Sequence, residues 1–64
     1  MKSIAERLRE ARSKAGISAH DLAAACGIHP GAVQAYERGE RVPRDEVKIV
    51  LSEHLGQRVQ DLFF

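Results

Sequence analysis

The sequence has a single cysteine, Cys26, among 64 residues, which excludes an internal disulfide and fits a reducing, cytoplasmic setting. No apolar run is long enough to cross a membrane, and the N-terminus reads as a capped amphipathic segment instead of a signal peptide. Nothing alternates with a period of two, so strands are not expected. There is no glycine-rich phosphate loop, no repeat, no linker and no low-complexity stretch, and residues 1–64 read as one domain. Large apolar residues are few. Charge of one sign is missing too: ten Lys and Arg stand against nine Asp and Glu, a net +1 that is low for a nucleic-acid binder.

What is present has to stabilise a very small unit. A chain of ~60 residues buries only about 60% of its unfolded surface, so oligomerisation, a metal or tight helix packing is the expected supplement. The charge is also unevenly spread. Residues 1–16 hold five bases (Lys2, Arg7, Arg9, Arg12, Lys14) and two acids, whereas the remainder holds five bases and seven acids. Within that acidic remainder Arg38, Arg41 and Arg44 cluster. A basic patch of this kind serves phosphate binding without a basic whole, with modest non-specific affinity.

Helical signals recur along the chain. Ser3-Ile4-Ala5-Glu6 fits a capping box, and Ile4, Leu8, Ala11 and Ala15 then repeat as one buried stripe until Gly16 stops a helix of about 4–15. Ser18-Ala19-His20-Asp21 opens a second helix over Ala19 to Cys26, with Leu22, Ala23 and Cys26 inward and Gly27 at its end. Pro30 suits the first position of a third helix, about Pro30 to Arg38, with Ala32, Val33 and Tyr36 inward and His29 as its cap. Glu40 to Pro43 is a loop. A fourth helix of about 44–55 carries Val47, Val50, Leu51 and Leu55 to Gly56, and Arg58 to Phe64 form a short helix or turn, with Val59, Leu62 and Phe63 available to close the core. A compact all-α bundle of five helices follows.

The inventory of reactive groups is thin. Cys26 and His29 have C-x-x-H spacing, with His20 and His54 as further donors, but a structural zinc wants four convergent ligands and Cys26 packs inward. No Ser/His/Asp or Cys/His set has a supporting context. Neither a metal, a cofactor, a small-molecule substrate nor an enzymatic activity is expected.

The segment from Ser18 to Gly39 carries the strongest pattern. Two short helices joined by a tight turn pack at a large angle only if certain positions are small, apolar or glycine. Ala23 lets the third helix approach the second, Gly27 permits a positive φ, and Leu22, Ile28, Val33 and Tyr36 fill the angle. With Glu37-Arg38-Gly39 and Pro43 beyond it, this stretch resembles the Cro/lambda-repressor-type helix-turn-helix family, and the likeness extends from about Ile4 to Phe63.

The resemblance implies a five-helix fold whose third helix enters the major groove of double-stranded DNA while the second crosses the backbone. It implies a two-fold dimer on paired half-sites. Arg12 and Glu37 match the places of an ion pair between first and third helices. Ala19 stands where relatives often carry a Gln that touches DNA. On the outward positions of the third helix Gln34 is the one long polar side chain, able to make two hydrogen bonds to an adenine edge. Pro30, Gly31 and Ala35 offer only apolar contact with thymine methyls or close backbone approach. Ser18, His29, Arg38, Arg41 and Arg44 are the candidate phosphate contacts.

Assembly is open at this level. Ile49 or Val50, with Phe63 and Phe64, forms either a two-fold contact of a weak homodimer, at least on DNA, or the completed core of a monomer. Asp45 and Lys48 occupy places where relatives put apolar residues. The function implied is a sequence-specific transcriptional regulator, a repressor by first preference. The alternative, favoured by the bare Pro30/Gly31/Ala35 face, is a protein-interaction module such as an antitoxin or a regulator of the transcription machinery. A DNA-binding part of a longer protein is the third.

Overall fold

The computed structural model describes residues 2–64, with α1 (Ile4–Ala15), α2 (Ala19–Cys26), α3 (Ala32–Glu37), α4 (Asp45–Leu55) and α5 (Val59–Phe63). No strand occurs among the described residues. Helix α1 packs on α3, α4 and α5, α2 packs on α3 and α4, and α4 packs on α5. The core lies where these contacts meet. Its largest fully buried side chains come one from each helix: Leu8, Leu22, Val33, Leu51 and Leu62. Each helix is therefore amphipathic towards a shared centre, and none is stable without the others.

The start of α1 is fixed by its capping box. Ser3 Oγ accepts from the Glu6 backbone N–H at 3.2 Å, and Glu6 Oε1 accepts from the Ser3 N–H at 3.2 Å and its hydroxyl at 3.1 Å. These bonds, the backbone one foremost, hold the Glu6 carboxyl below the usual carboxylate range, and Lys2 and Arg9 add to the effect. A depressed folded-state pKa stabilises above the unfolded value and is lost as pH falls through the folded one. Acid titration of unfolding should therefore be shallower in Glu6→Gln than in the parent, with the difference confined to the carboxylate range and below. Equal slopes would show that the box is open in solution.

Leu8 and Ala11 are buried as the stripe predicts, but Ala15 is exposed. Gly16 turns the chain one residue later, and Ile17, beyond the turn, packs on the core in its place. The observed α3 is shorter than expected at both ends. Pro30 and Gly31 lie in the turn before it: the His29 carbonyl accepts from the Ala32 N–H at 2.9 Å, and His29 Nδ1 accepts from the Gly31 N–H at 3.0 Å. The imidazole thus secures a tight turn that precedes the helix.

Lys48 explains the anomalous pattern of α4. Its side chain is only 11% exposed, and Nζ lies 4.6 Å from the Phe64 ring centroid and 6.0 Å from that of Phe63. The aliphatic stem covers apolar surface while the ammonium rests on the aromatic faces, so a lysine serves at a position that otherwise takes an apolar residue. Asp45 stays exposed. Phe63 is 3% exposed and part of the core, as the core alternative has it, which removes it from the alternative dimer contact, whereas Phe64 is 73% and Ile49 51% exposed. Ser52, not anticipated inside, is buried with its hydroxyl donating to the Ile49 carbonyl at 2.7 Å.

Candidate nucleic-acid interface

The turn between α2 and α3 is built by Gly27. Its φ of +69 lets the Ile28 N–H reach back to the Ala23 carbonyl at 3.0 Å, closing α2 and redirecting the chain. An added Cβ there would meet nothing within 4 Å, so conformation and not space demands the glycine. Ala23 is fully buried under α3, and Ala19 is buried as well, so the position where a Gln was the alternative belongs to the packed face.

Four of the six residues of α3 are buried: Ala32, Val33, Tyr36 and Glu37. The outward surface is consequently narrow. Gln34 is exposed and Ala35 half-buried, with exposed Pro30 and half-buried Gly31 leading into the helix. Gly31 has φ −91, and a Cβ built on it would lie 3.5 Å from the His29 ring, an ordinary contact. Neither backbone strain nor crowding inside the molecule accounts for glycine there.

The orientation of this helix is set by Glu37, the one charged side chain in the buried set, at 8% exposure. Arg12 donates from Nε to Oε2 at 2.6 Å and from Nη2 to Oε1 at 3.0 Å, a two-pronged pair reaching from α1 to α3. Its remaining Nη1 donates to the Ile17 carbonyl at 3.1 Å, tying the α1–α2 connection to the same guanidinium. The bond to Glu37 raises the Arg12 pKa above its already high value. A raised pKa stabilises below the unfolded value and is lost only as pH rises through the folded one, so Arg12 stays charged throughout the working range. Arg9, which sequence reasoning missed, donates from Nη2 to the Glu37 carbonyl at 3.1 Å. The available signal was its place three residues before Arg12, on the same side of α1.

The remaining candidates divide. Ser18 Oγ accepts from the Asp21 N–H at 3.0 Å and caps α2. Arg38 leans on Glu40 at 3.6 Å on the surface. Arg41 and Arg44 are exposed on either side of buried Pro43, and with His29 they line one depression beside α3. Cys26 approaches His54, not His29, at 3.8 Å from Sγ to Nδ1, and burial pushes its thiol pKa up. Among the described residues no three His, Cys, Asp or Glu side chains converge as metal ligands do.

A family model described as a helix-turn-helix domain matches residues 3–62. No curated protein matches the chain significantly. Among solved structures, the DNA-binding domain (1–76) of the P22 C2 repressor is similar, with a TM-score of 0.90 at 30% identity, over 95% of this chain and 80% of that one.

Proposed function

From the premise that the chain belongs to the helix-turn-helix domain family, we propose that it is a DNA-binding transcriptional repressor acting as one domain that inserts α3 into the major groove. The observation that carries this reading is the division of α3. Its buried side is locked to α1 through Glu37, while exposed Gln34 and Pro30 and half-buried Ala35 and Gly31 form the outward edge. A helix held rigidly with a slim outward edge is what a groove admits.

Gln34 is the base reader, through the two hydrogen bonds its amide makes with an adenine edge. Pro30, Gly31 and Ala35 let the turn lie close to the duplex and meet thymine methyls. Ser18, His29, Arg38, Arg41 and Arg44 hold phosphates on either side. DNA shape adds to this small direct code.

Selection of bound sequences from random duplex DNA tests the reading. Gln34→Ala should erase preference at one position, a loss of about 1–3 kcal/mol of discrimination. Arg41→Ala should weaken all sequences alike and reduce the salt slope by about 1. Gly31→Ala should change folding stability by less than about 1 kcal/mol, yet weaken binding because the new methyl faces the duplex. Absence of any enrichment at low salt would transfer the chain to the protein-interaction class.

On DNA the protein acts as a weak homodimer. Support comes from Ile49 and Phe64, both exposed, which line one shallow apolar groove with Lys48, Val59 and Asp45. Sedimentation showing monomers at high concentration, free and on DNA, would remove this part.

A further inference from the structure

The depression that gathers His29, Arg41 and Arg44 is more than a set of phosphate contacts. Its volume is about 330 Å³, within the range of small-molecule pockets. By burial its floor is formed by Ile28, Ala32, Tyr36 and Val47, the lining residues that are buried or half-buried. Val42 lines it as well, although this valine is 70% exposed and has no place in the core. An apolar side chain kept at the mouth of a concavity, instead of packed beneath it, is surface offered to an occupant.

The rim is cationic. Arg38, Lys48 and Arg58 each have a carboxylate within 4.0 Å, whereas among the described residues Arg7, Lys14, Arg41 and Arg44 have none, and of these four only Arg41 and Arg44 line this depression. Glu46 also lines the depression without approaching either arginine to ion-pair distance, so two guanidinium groups outweigh one carboxylate there. His29 adds a donor: its Nδ1 accepts the Gly31 N–H, so neutral imidazole carries its proton on Nε2.

We infer that this depression binds a small organic anion with a flat apolar body and one carboxylate. The body lies on the Ile28/Ala32/Tyr36/Val47 floor, and the carboxylate takes Arg41 and Arg44. The occupant uses the groups assigned above to DNA phosphates, so its binding and DNA binding exclude one another. This second consequence rests on the DNA-binding reading; the first does not.

The probe is 2-naphthoate, compared with neutral 2-naphthamide and with inorganic phosphate at matched ionic strength. In amide-shift titrations of the free protein, naphthoate should give saturable shifts centred on Ala32, Tyr36 and Val47. Arg41→Ala, an exposed loop change that keeps the spectrum folded, should weaken it roughly tenfold. Equal saturation by naphthamide, equal saturation by phosphate, or shifts that never saturate would each overturn the proposal. Fluorescence anisotropy on a selected duplex supplies the other arm. Naphthoate should release DNA at concentrations where matched phosphate does not. DNA binding without naphthoate saturation would overturn the pocket and leave the regulator reading intact. Naphthoate saturation without DNA binding would support the pocket and overturn that reading.

Discussion

Glu37→Ala is expected to leave the protein mostly unfolded at room temperature. Removing one partner of a buried ion pair costs about 3–5 kcal/mol, because the other charge stays behind without compensation. A core of this size supplies only roughly 3–5 kcal/mol in total. Here the loss has two components. Arg12 loses both prongs of its pair, and the exposed Arg9 loses its 3.9 Å carboxylate contact while keeping its bond to the backbone carbonyl at position 37. Arg9→Ala should cost less than about 1 kcal/mol, since its side chain is 60% exposed and solvent screens it. Arg12→Ala should cost about as much as Glu37→Ala, because it leaves the 8% exposed Glu37 carboxylate with only the 3.9 Å contact of Arg9. Urea unfolding followed by circular dichroism checks the order. Equal small losses in Arg9→Ala and Arg12→Ala would mean that the pair is solvated and does not set the pose of α3.

Leu51→Ala should rank next, at about 2–5 kcal/mol, against less than about 1 kcal/mol for Ile49→Ala. The two residues sit two positions apart on α4, yet Leu51 is fully buried and Ile49 is 51% exposed. Leu51 is the contribution of α4 to the five-residue centre, and α4 contacts α1, α2 and α5 at once. A cavity there has walls from several helices and cannot collapse by moving one of them, which places the cost in the upper part of the range. Thermal unfolding of both variants at low protein concentration gives the comparison without interference from self-association. Similar melting temperatures would show that α4 faces the core differently.

Much of this architecture was legible because local signals and burial agree. Ser3 with Glu6, Ser18 with Asp21, and the glycines at 16, 27 and 56 end or begin helices where the structure has them. Leu8, Leu22, Ala23, Val33, Tyr36, Leu51 and Leu62 follow from helical spacing alone. The misses have a common cause, which is that one residue type can satisfy two environments. Pro30 suits the first position of a helix and a turn equally well, and the decision fell to the His29 ring and its bond to the Gly31 N–H. For Phe63 and Phe64, the same residue in neighbouring positions, core and dimer contact were both open, and the path of α5 sends the first inward and the second out. Lys48 reads as polar in a pattern, yet most of its length is hydrocarbon.

The candidate site was legible in a different measure. Which residues of α3 face outward followed from the four that must face inward, so Gln34 and Ala35 were accessible to pattern reasoning. The role of Arg9 was not read: its place three residues before Arg12 puts it on the same side of α1, but a basic residue on a basic helix does not say which carbonyl it meets. Nor was the association of His29, Arg41 and Arg44 around one depression, where the two arginines stand exposed on either side of buried Pro43. Loop geometry of this kind depends on tertiary packing and has no periodic signature.

Insertion of α3 into the major groove, with Gln34 and Ala35 against the bases, is tested by intermolecular NOEs on a selected duplex. Cross-peaks are expected from the Ala35 methyl and the Gln34 side-chain amide to thymine methyls or purine H8 protons, which lie in the major groove. Cross-peaks to DNA that arise only from α1 or α5, or only with minor-groove protons, would contradict it.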